Sequence, residues 1–327
     1  MVVSACMCGR PFAEKVVEVL RRKSHPELHL LDTTERRFAN TEIKTLINKS
    51  IRGADFFLIQ DCETREFGYS TADSVSAMKS ALDAAFRAGV RRKVLIMLSF
   101  PYARQDKAQA REGVTASRLA QELEDVYGVG NVIYMDIHNL SIAGFFRKAL
   151  TDNLSAIRTL TDYTKKELPR ITKVIFADTG GSRRAEDYAS LLDKDITGFQ
   201  KRRDNVTGKT TARLISEVRG EICMGIEDMI DTAGTIYNAT LSLADSGANI
   251  VYWLATHGIF SPPAEERLNE LHEQGILGGV ICTDSVHHSD EFKKRNRWYK
   301  EVSVASYVAK TIHRLHTHGS ISELLND

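Results

Sequence analysis

Short apolar runs of strand length alternate with helical patterns along nearly the whole chain, and that alternation admits few folds. Parallel strands need a crossover, usually a helix, so this alternation argues for parallel sheets wrapped by helices. Segments 55–60, 93–98 and 132–135 read as strands, with helical stretches at 72–88 and 114–127 between them. Segments 173–176, 222–226, 250–255 and 279–283 repeat the arrangement in the second half. The expected class is α/β, and 327 residues suit two medium domains with a core in each. In open sheets of this kind ligands collect at the carboxyl ends of the strands, so the residues that follow each apolar run carry the functional signal.

Composition narrows the partners. Forty-four basic against 43 acidic residues leave a formal charge of +1, which offers no global attraction for nucleic acid or an acidic membrane. The five cysteines include no Cys-x-x-Cys pair and read as reduced thiols of a cytoplasm-like compartment. No basic stretch leads into an apolar one at the N-terminus, and no apolar run approaches 18 residues; neither secretion nor a membrane span is expected.

The most informative stretch is 222–235, Ile-Cys-Met-Gly-Ile-Glu-Asp-Met-Ile-Asp-Thr-Ala-Gly-Thr. It reads as an apolar strand, two carboxylates where the strand ends, a tight turn and the first turn of a helix. Glu227 and Asp228 can accept hydrogen bonds from vicinal hydroxyls or from metal-bound water. Adjacent carboxylates repel by about 1 kcal/mol at ~4 Å in water, so a strand end carrying both asks for a ligand. Asp231, Thr232, Ala233, Gly234 and Thr235 follow in a turn of small residues, where helix N–H groups can seat an anion. Hydroxyl acceptors beside an anion seat describe a sugar phosphate. An Asp-Thr pair at a helix start is by itself ordinary capping.

Other polar loops end apolar runs. Phe38-Ala-Asn-Thr-Glu42 offers a ring to stack on a base, with Asn40 and Glu42 to read its edges, though alone it is a common surface loop. After the strand at 93–98, Pro101-Tyr-Ala-Arg-Gln-Asp-Lys107 displays Arg104 for a phosphate or purine face and Gln105 for a purine edge. Asp136 and His138 stand two residues apart after the strand at 132–135, on one side of an extended chain. Asp178 precedes a double glycine and Arg183-Arg184, which serves an anion site and a plain strand–helix turn equally well. The basic run 200–213, commonly a solvated hairpin, can close over a polyphosphate when it lies between ligand-binding strands.

In order, these strings resemble the ribose-phosphate pyrophosphokinase family, whose two domains share the type I phosphoribosyltransferase fold. The loop 101–107 matches the family's ATP loop residue for residue. The run from Asp136 to Phe146 is similar to Asp-Leu-His-x-x-x-Ile-x-Gly-Phe-Phe, and 227–235 to Asp-Asp-Met-Ile/Ala-Asp-Thr-x-Gly-Thr, with Glu227 in place of the first Asp. Gly113 and Ala177 stand where the family has proline. The resemblance implies an N-terminal ATP-binding domain at 1–156, with the tail 313–327 packing back on it, and a ribose 5-phosphate domain at 157–312. Each domain is expected to be a mostly parallel sheet flanked by helices. It implies that Phe38, Asn40, Glu42, Arg104, Gln105 and His138 bind ATP and that Glu227, Asp228, Asp231, Thr232, Ala233, Gly234 and Thr235 bind ribose 5-phosphate. His138 and Asp178 would contact Mg2+, and Lys201 and Arg203 would be catalytic. The expected reaction moves the diphosphoryl group of MgATP to the 1-hydroxyl of ribose 5-phosphate, in a cytoplasmic homo-oligomer, a hexamer built from dimers. A non-catalytic regulatory relative and a phosphoribosyltransferase are the alternatives. The first should have lost residues such as Lys201 and Arg104, and the second has no need of the loop 101–107.

Overall fold

In the computed structural model, which describes residues 1–108, 110–203 and 210–326 (side chains of 201–203, 210–212, 325 and 326 excepted), the chain divides into two units. The first comprises Met1–Ser155, Asp284–His288 and Ser303–Asp327; the second comprises Ala156–Thr283 and Ser289–Val302.

The first unit opens with β1 (Val2–Ala5) and α1 (Arg10–Lys23), followed by a hairpin of β2 (Thr33–Arg37) and β3 (Ile43–Ile47). The main sheet continues with β4 (Asp55–Ile59), α2 (Thr71–Arg87), β5 (Arg92–Ile96), α3 (Thr115–Asp125), β6 (Asn131–Met135) and β7 (Leu150–Leu154). Its strand order is β1-β4-β5-β6-β7 and every pairing is parallel. Every residue of β4 and β6 is buried, as a sheet covered on both faces demands. Helix α2 starts at a capping box: Ser70 Oγ accepts the Asp73 N–H at 3.1 Å, and the Asp73 carboxylate accepts the Ser70 N–H at 3.0 Å. Its Val75, Met78 and Leu82 then bury one face at helical spacing against the sheet.

The second unit runs α4 (Ile157–Glu167), β8 (Lys173–Phe176), α5 (Ser182–Leu192), β9 (Asp195–Arg203), β10 (Thr210–Leu214), β11 (Ile222–Ile230), α6 (Gly234–Asp245), β12 (Ile250–Gly258), α7 (Ala264–Glu273), β13 (Leu277–Thr283), α8 (Asp290–Arg295) and β14 (Tyr299–Val302). The sheet order is β10-β9-β8-β11-β12-β13-β14, parallel except for the antiparallel β9–β10 pair. Trp253 fills its core and donates its indole N–H to Thr240 Oγ1 at 2.8 Å, fastening α6 to β12. A Cβ on Gly225 would fall 2.3 Å from the Trp253 ring, so the strand under the indole must be bare at that position.

The returning segments depart from the expected division at 157–312. Asp284–His288 and all of α9 (Ala305–His316), with α10 (Ser322–Asn326), pack in the first unit. The buried Asp284 carboxylate accepts Lys15 Nζ and the Val304 N–H, each at 2.8 Å. Asp61 accepts the His287 N–H at 2.8 Å, and burial pushes its carboxyl up to about 6 although the His287, Glu63 and Thr64 N–H groups favour the ion. Val308, Ala309 and Ile312 bury α9, which packs along α1. A tail expected to return only at 313 therefore returns ten residues earlier, at Ser303. Among the described residues no helix is long and apolar enough to cross a membrane.

Candidate active site

In each unit the loops after parallel strands gather at the carboxyl edge of the sheet. In the first unit these are the loops after the neighbouring strands β5 and β6. Pro101 follows the buried Phe100, whose ring meets those of Tyr134 and Phe146 edge-on at 6.3 and 6.2 Å, so the loop leaves the core at a fixed angle. Arg104 and Gln105 are exposed beyond it. Thr115 Oγ1 donates to Gln105 Oε1, which orients the carboxamide so that its NH2 is the end offered outward. Asn139 donates to Asp106, tying this loop to the next. His138 is exposed in that second loop, and Ser155 Oγ donates to Asp136 Oδ1 at 3.0 Å.

Phe38, Asn40 and Glu42 form the exposed tip of the β2–β3 hairpin, a separate two-stranded sheet. The turn closes through Phe38 N–H to Glu42 O at 2.8 Å, and the Arg36 guanidinium sits 5.0 Å from the Phe38 ring centroid. Arg37 donates to Gly68 O at 3.1 Å and to Asp73 at 3.3 Å, which sets the hairpin beside the start of α2. The structure thus groups Arg104, Gln105 and His138 at one edge and carries Phe38, Asn40 and Glu42 on an arm of their own.

In the second unit Asp178 follows β8, and the 227–235 stretch begins in the last residues of its neighbour β11 and runs into α6. The expected strand end at 226 is corrected: β11 runs on to Ile230, with Glu227 opposite Ala255 and Met229 opposite His257 on β12. The carboxylates are therefore not side by side, because successive strand residues point to opposite faces. Asp228 turns to the buried side, 3.4 Å from Arg184 Nη1, while Glu227 is half-buried on the other face. The strand continues because Met229 and Ile230 still pair with β12, and Ile230 O accepts the Ile259 N–H at 2.8 Å. Asp231 and Thr232 then turn the chain, Ala233 takes a left-handed conformation (φ 57°, ψ 9°), and Gly234 and Thr235 begin α6, which no side chain caps. Open N–H groups at a helix start, behind a strand of hydroxyl acceptors, suit a phosphate carried on a sugar.

Backbone strain picks out the same loops. Among the described residues seven non-glycine residues have positive φ; four of them, Thr41, Tyr102, Asp136 and Ala233, lie at the hairpin tip or in these loops, and a fifth, Phe260, follows the next strand, β12. Such conformations persist only where the surroundings enforce them, and they cluster at functional loops. This signal is invisible in the sequence, as none of the five is a glycine or an asparagine.

Lys201 and Arg203 lie in the last residues of β9, which extends beyond its pairing with β8 from Phe199 to Arg203 and has Ala212 and Thr210 of β10 opposite them. Their side chains lie outside the described residues, as do residues 204–209 of the basic run.

For a divalent metal, no group of three or more His, Cys, Asp or Glu able to hold an ion is present among the described residues. Magnesium brought in on phosphate oxygens needs only one or two protein ligands, so the residues present fit an ion carried by a nucleotide. Asp178 suits it: Oδ1 accepts the Gly180 and Gly181 N–H groups at 3.0 and 3.3 Å, which fixes the direction of the carboxylate.

The family model described as the N-terminal domain of ribose phosphate pyrophosphokinase matches residues 1–126, and the one described as phosphoribosyl synthetase-associated domain matches 200–326. A ribose-phosphate pyrophosphokinase of Fusobacterium nucleatum is 36% identical over 298 residues, covering 89% of each chain. The enzyme of the same name from Staphylococcus saprophyticus is 32% identical, with 97% of this chain and 94% of its own covered. The crystal structure of phosphoribosylpyrophosphate synthetase from Mycobacterium smegmatis superposes with a TM-score of 0.85 at 30% identity, over 97% of this chain and 99% of that one.

Proposed function

The chain belongs to the ribose-phosphate pyrophosphokinase family, and from that premise we propose that it transfers the diphosphoryl group of MgATP to the 1-hydroxyl of ribose 5-phosphate. The products are phosphoribosyl pyrophosphate and AMP, for nucleotide biosynthesis. The observation that supports this reading over a phosphoribosyltransferase is that each unit has its own parallel sheet with polar loops at its carboxyl edge. The first unit displays the loop 101–107 at that edge, and a transferase that consumes phosphoribosyl pyrophosphate has no need of that loop. Arg104 and Gln105 speak against a non-catalytic relative, since both are displayed and Gln105 is oriented.

The anomeric oxygen attacks the β-phosphorus, the bond from that phosphorus to the α,β-bridging oxygen breaks, and AMP leaves with the bridging oxygen as the hydroxyl proton is lost. Arg104 holds phosphate or purine by its planar guanidinium, and Gln105 donates to the purine edge from the amide end that Thr115 leaves outward. Phe38 stacks on the base while Asn40 and Glu42 read it. His138 in the first unit and Asp178 in the second would each be a ligand for magnesium carried on nucleotide phosphates, and the ion would supply neutralisation of the phosphate charge. The Ala233 amide and the first α6 amides, of Gly234 and Thr235, take the 5-phosphate, with Thr232 beside them, while Glu227 and Asp231 orient the ribose or its bound water and Asp228 supports them from the opposite face, beside Arg184. Lys201 and Arg203 stabilise the charge that develops on the transferred group. The five buried free thiols accord with a reducing, cytoplasm-like compartment. Sedimentation should show a homo-oligomer divisible by two, a hexamer at full assembly.

AMP formation tests the reading. AMP should appear only when ATP, magnesium and ribose 5-phosphate are all present, one per phosphoribosyl pyrophosphate. AMP released without the sugar phosphate, or ADP in its place, overturns it.

A further inference from the structure

We propose that Arg267 on α7 locks the phosphate cradle in its anion-accepting form, acting as a positioning residue for ribose 5-phosphate; this rests on the function read above. Its Nη1 donates to the Thr232 carbonyl oxygen at 2.7 Å. The Thr232–Ala233 peptide is planar and trans, so its C=O and N–H point in opposite directions. Drawing the carbonyl toward α7 therefore turns the Ala233 N–H away from α7. Ala233 then adopts its left-handed φ of 57°, and α6 begins directly after it without a side-chain cap. A left-handed residue leading into a helix makes successive N–H groups converge, which is the geometry of a backbone anion nest.

The left-handed state is unfavourable for alanine, so the loop needs an outside restraint to keep it. Arg267 is that restraint. The guanidinium lies close over the turn: a Cβ on Gly234 would be 3.2 Å from Nη1, so a larger residue there would push against Arg267. A second bond joins the same two helices nearby, Tyr237 Oη donating to Glu270 Oε1 at 2.9 Å. That bond touches no cradle backbone and supplies the control for simple helix packing.

The experiment compares Arg267→Ala, Ala233→Gly, the double variant and Glu270→Ala. Without the restraint only a fraction of molecules hold the competent loop, so Arg267→Ala should raise KM for ribose 5-phosphate about tenfold. KM for MgATP should not move, and kcat should stay within about threefold. Glycine takes the left-handed conformation freely, so adding Ala233→Gly should restore most of the loss. Glu270→Ala should leave both KM values where they are. An unchanged KM for ribose 5-phosphate, a parallel rise in both KM values, or no recovery in the double variant overturns the proposal. Calorimetric binding of ribose 5-phosphate against unphosphorylated ribose reads the cradle without turnover. Wild-type protein that binds the phosphate ester but makes no AMP contradicts the activity and still tests Arg267 through its Kd; wild-type protein that does not bind it contradicts both.

Discussion

The loops at the carboxyl edge of the first unit and the 227–235 cradle of the second offer different chemistry to the ligands proposed for them. The first edge works through side chains. Arg104, Gln105 and His138 are exposed, and neighbouring side chains set the geometry, Thr115 on Gln105 and Asn139 on Asp106. The cradle works through backbone: an uncapped helix start, a left-handed Ala233 and a carbonyl held by Arg267. A side-chain site loses one interaction per substitution, whereas a backbone site loses its conformation or keeps it. The same kind of mutation should therefore be graded at the first edge and act as a population shift at the cradle.

The largest expected effect belongs to neither loop. If both only bind and the cations of β9 stabilise the transferred group, Lys201→Ala lowers kcat by about 100- to 1,000-fold and leaves both KM values within a few-fold. A loss confined to KM would move Lys201 into the binding machinery and blur the comparison. Next in size, Arg104→Ala should raise KM for MgATP by about 10- to 100-fold, the loss of one charge-assisted bond at roughly 1.5–3 kcal/mol, with KM for ribose 5-phosphate unmoved. Arg104→Lys should recover only part, because an ammonium cannot reproduce the planar fork. The tenfold, glycine-rescued effect at Arg267 is the cradle's counterpart.

A smaller effect should separate the two regions by acid. The buried Glu124 carboxylate accepts the N–H groups of Arg147 and Lys148 at 2.8 Å and of Ala149 at 3.2 Å, just beyond the loop that carries His138. Burial pushes its carboxyl up, but the bonds from Lys148, Ala149 and Arg147 outweigh it and hold the group below the ordinary glutamate range. With the folded value lowered, the stabilisation is present above the unfolded pKa of about 4.3 and is lost as pH falls through the folded value. Glu124→Gln should therefore lower Tm by about 2–8 °C at pH 7, from the 1–3 kcal/mol of an unsatisfied buried group. The gap to wild type should close as pH drops below about 4. A gap independent of pH would mean that charge plays no part in anchoring 147–149.

The sequence disclosed the chemistry of these loops better than their geometry. The alternation of apolar runs and helices was enough to find both strands, β6 at its expected place and β5 ending at Ile96 and not at 98, because parallel strands buried on both faces read as near-continuous apolar runs. The end of β11 was misplaced because Glu227 and Asp228 look like a strand terminator. Register with β12 carries the strand through them, and the Arg184 charge that accompanies Asp228 lies 44 residues away in the chain. The return of Asp284–His288 to the first unit was equally hidden, since the bonds that hold it come from residues as distant in the chain as Lys15, Asp61 and Thr64. Helix α1 was legible and passed over: Pro11 in its first turn and Phe12, Val16 and Leu20 at helical spacing are ordinary helix signals. Arg267 gave no local signal, because its partner is a backbone carbonyl that any residue could supply.

The most direct test of the account is 31P NMR of a mixture of ATP, magnesium, ribose 5-phosphate and the protein. The account predicts that the β- and γ-phosphorus signals of ATP move together to a diphosphate on the sugar's 1-oxygen while the α-phosphorus becomes AMP in equal amount. An α,β-linked pair persisting as ADP, with only the γ-phosphorus transferred, would contradict it.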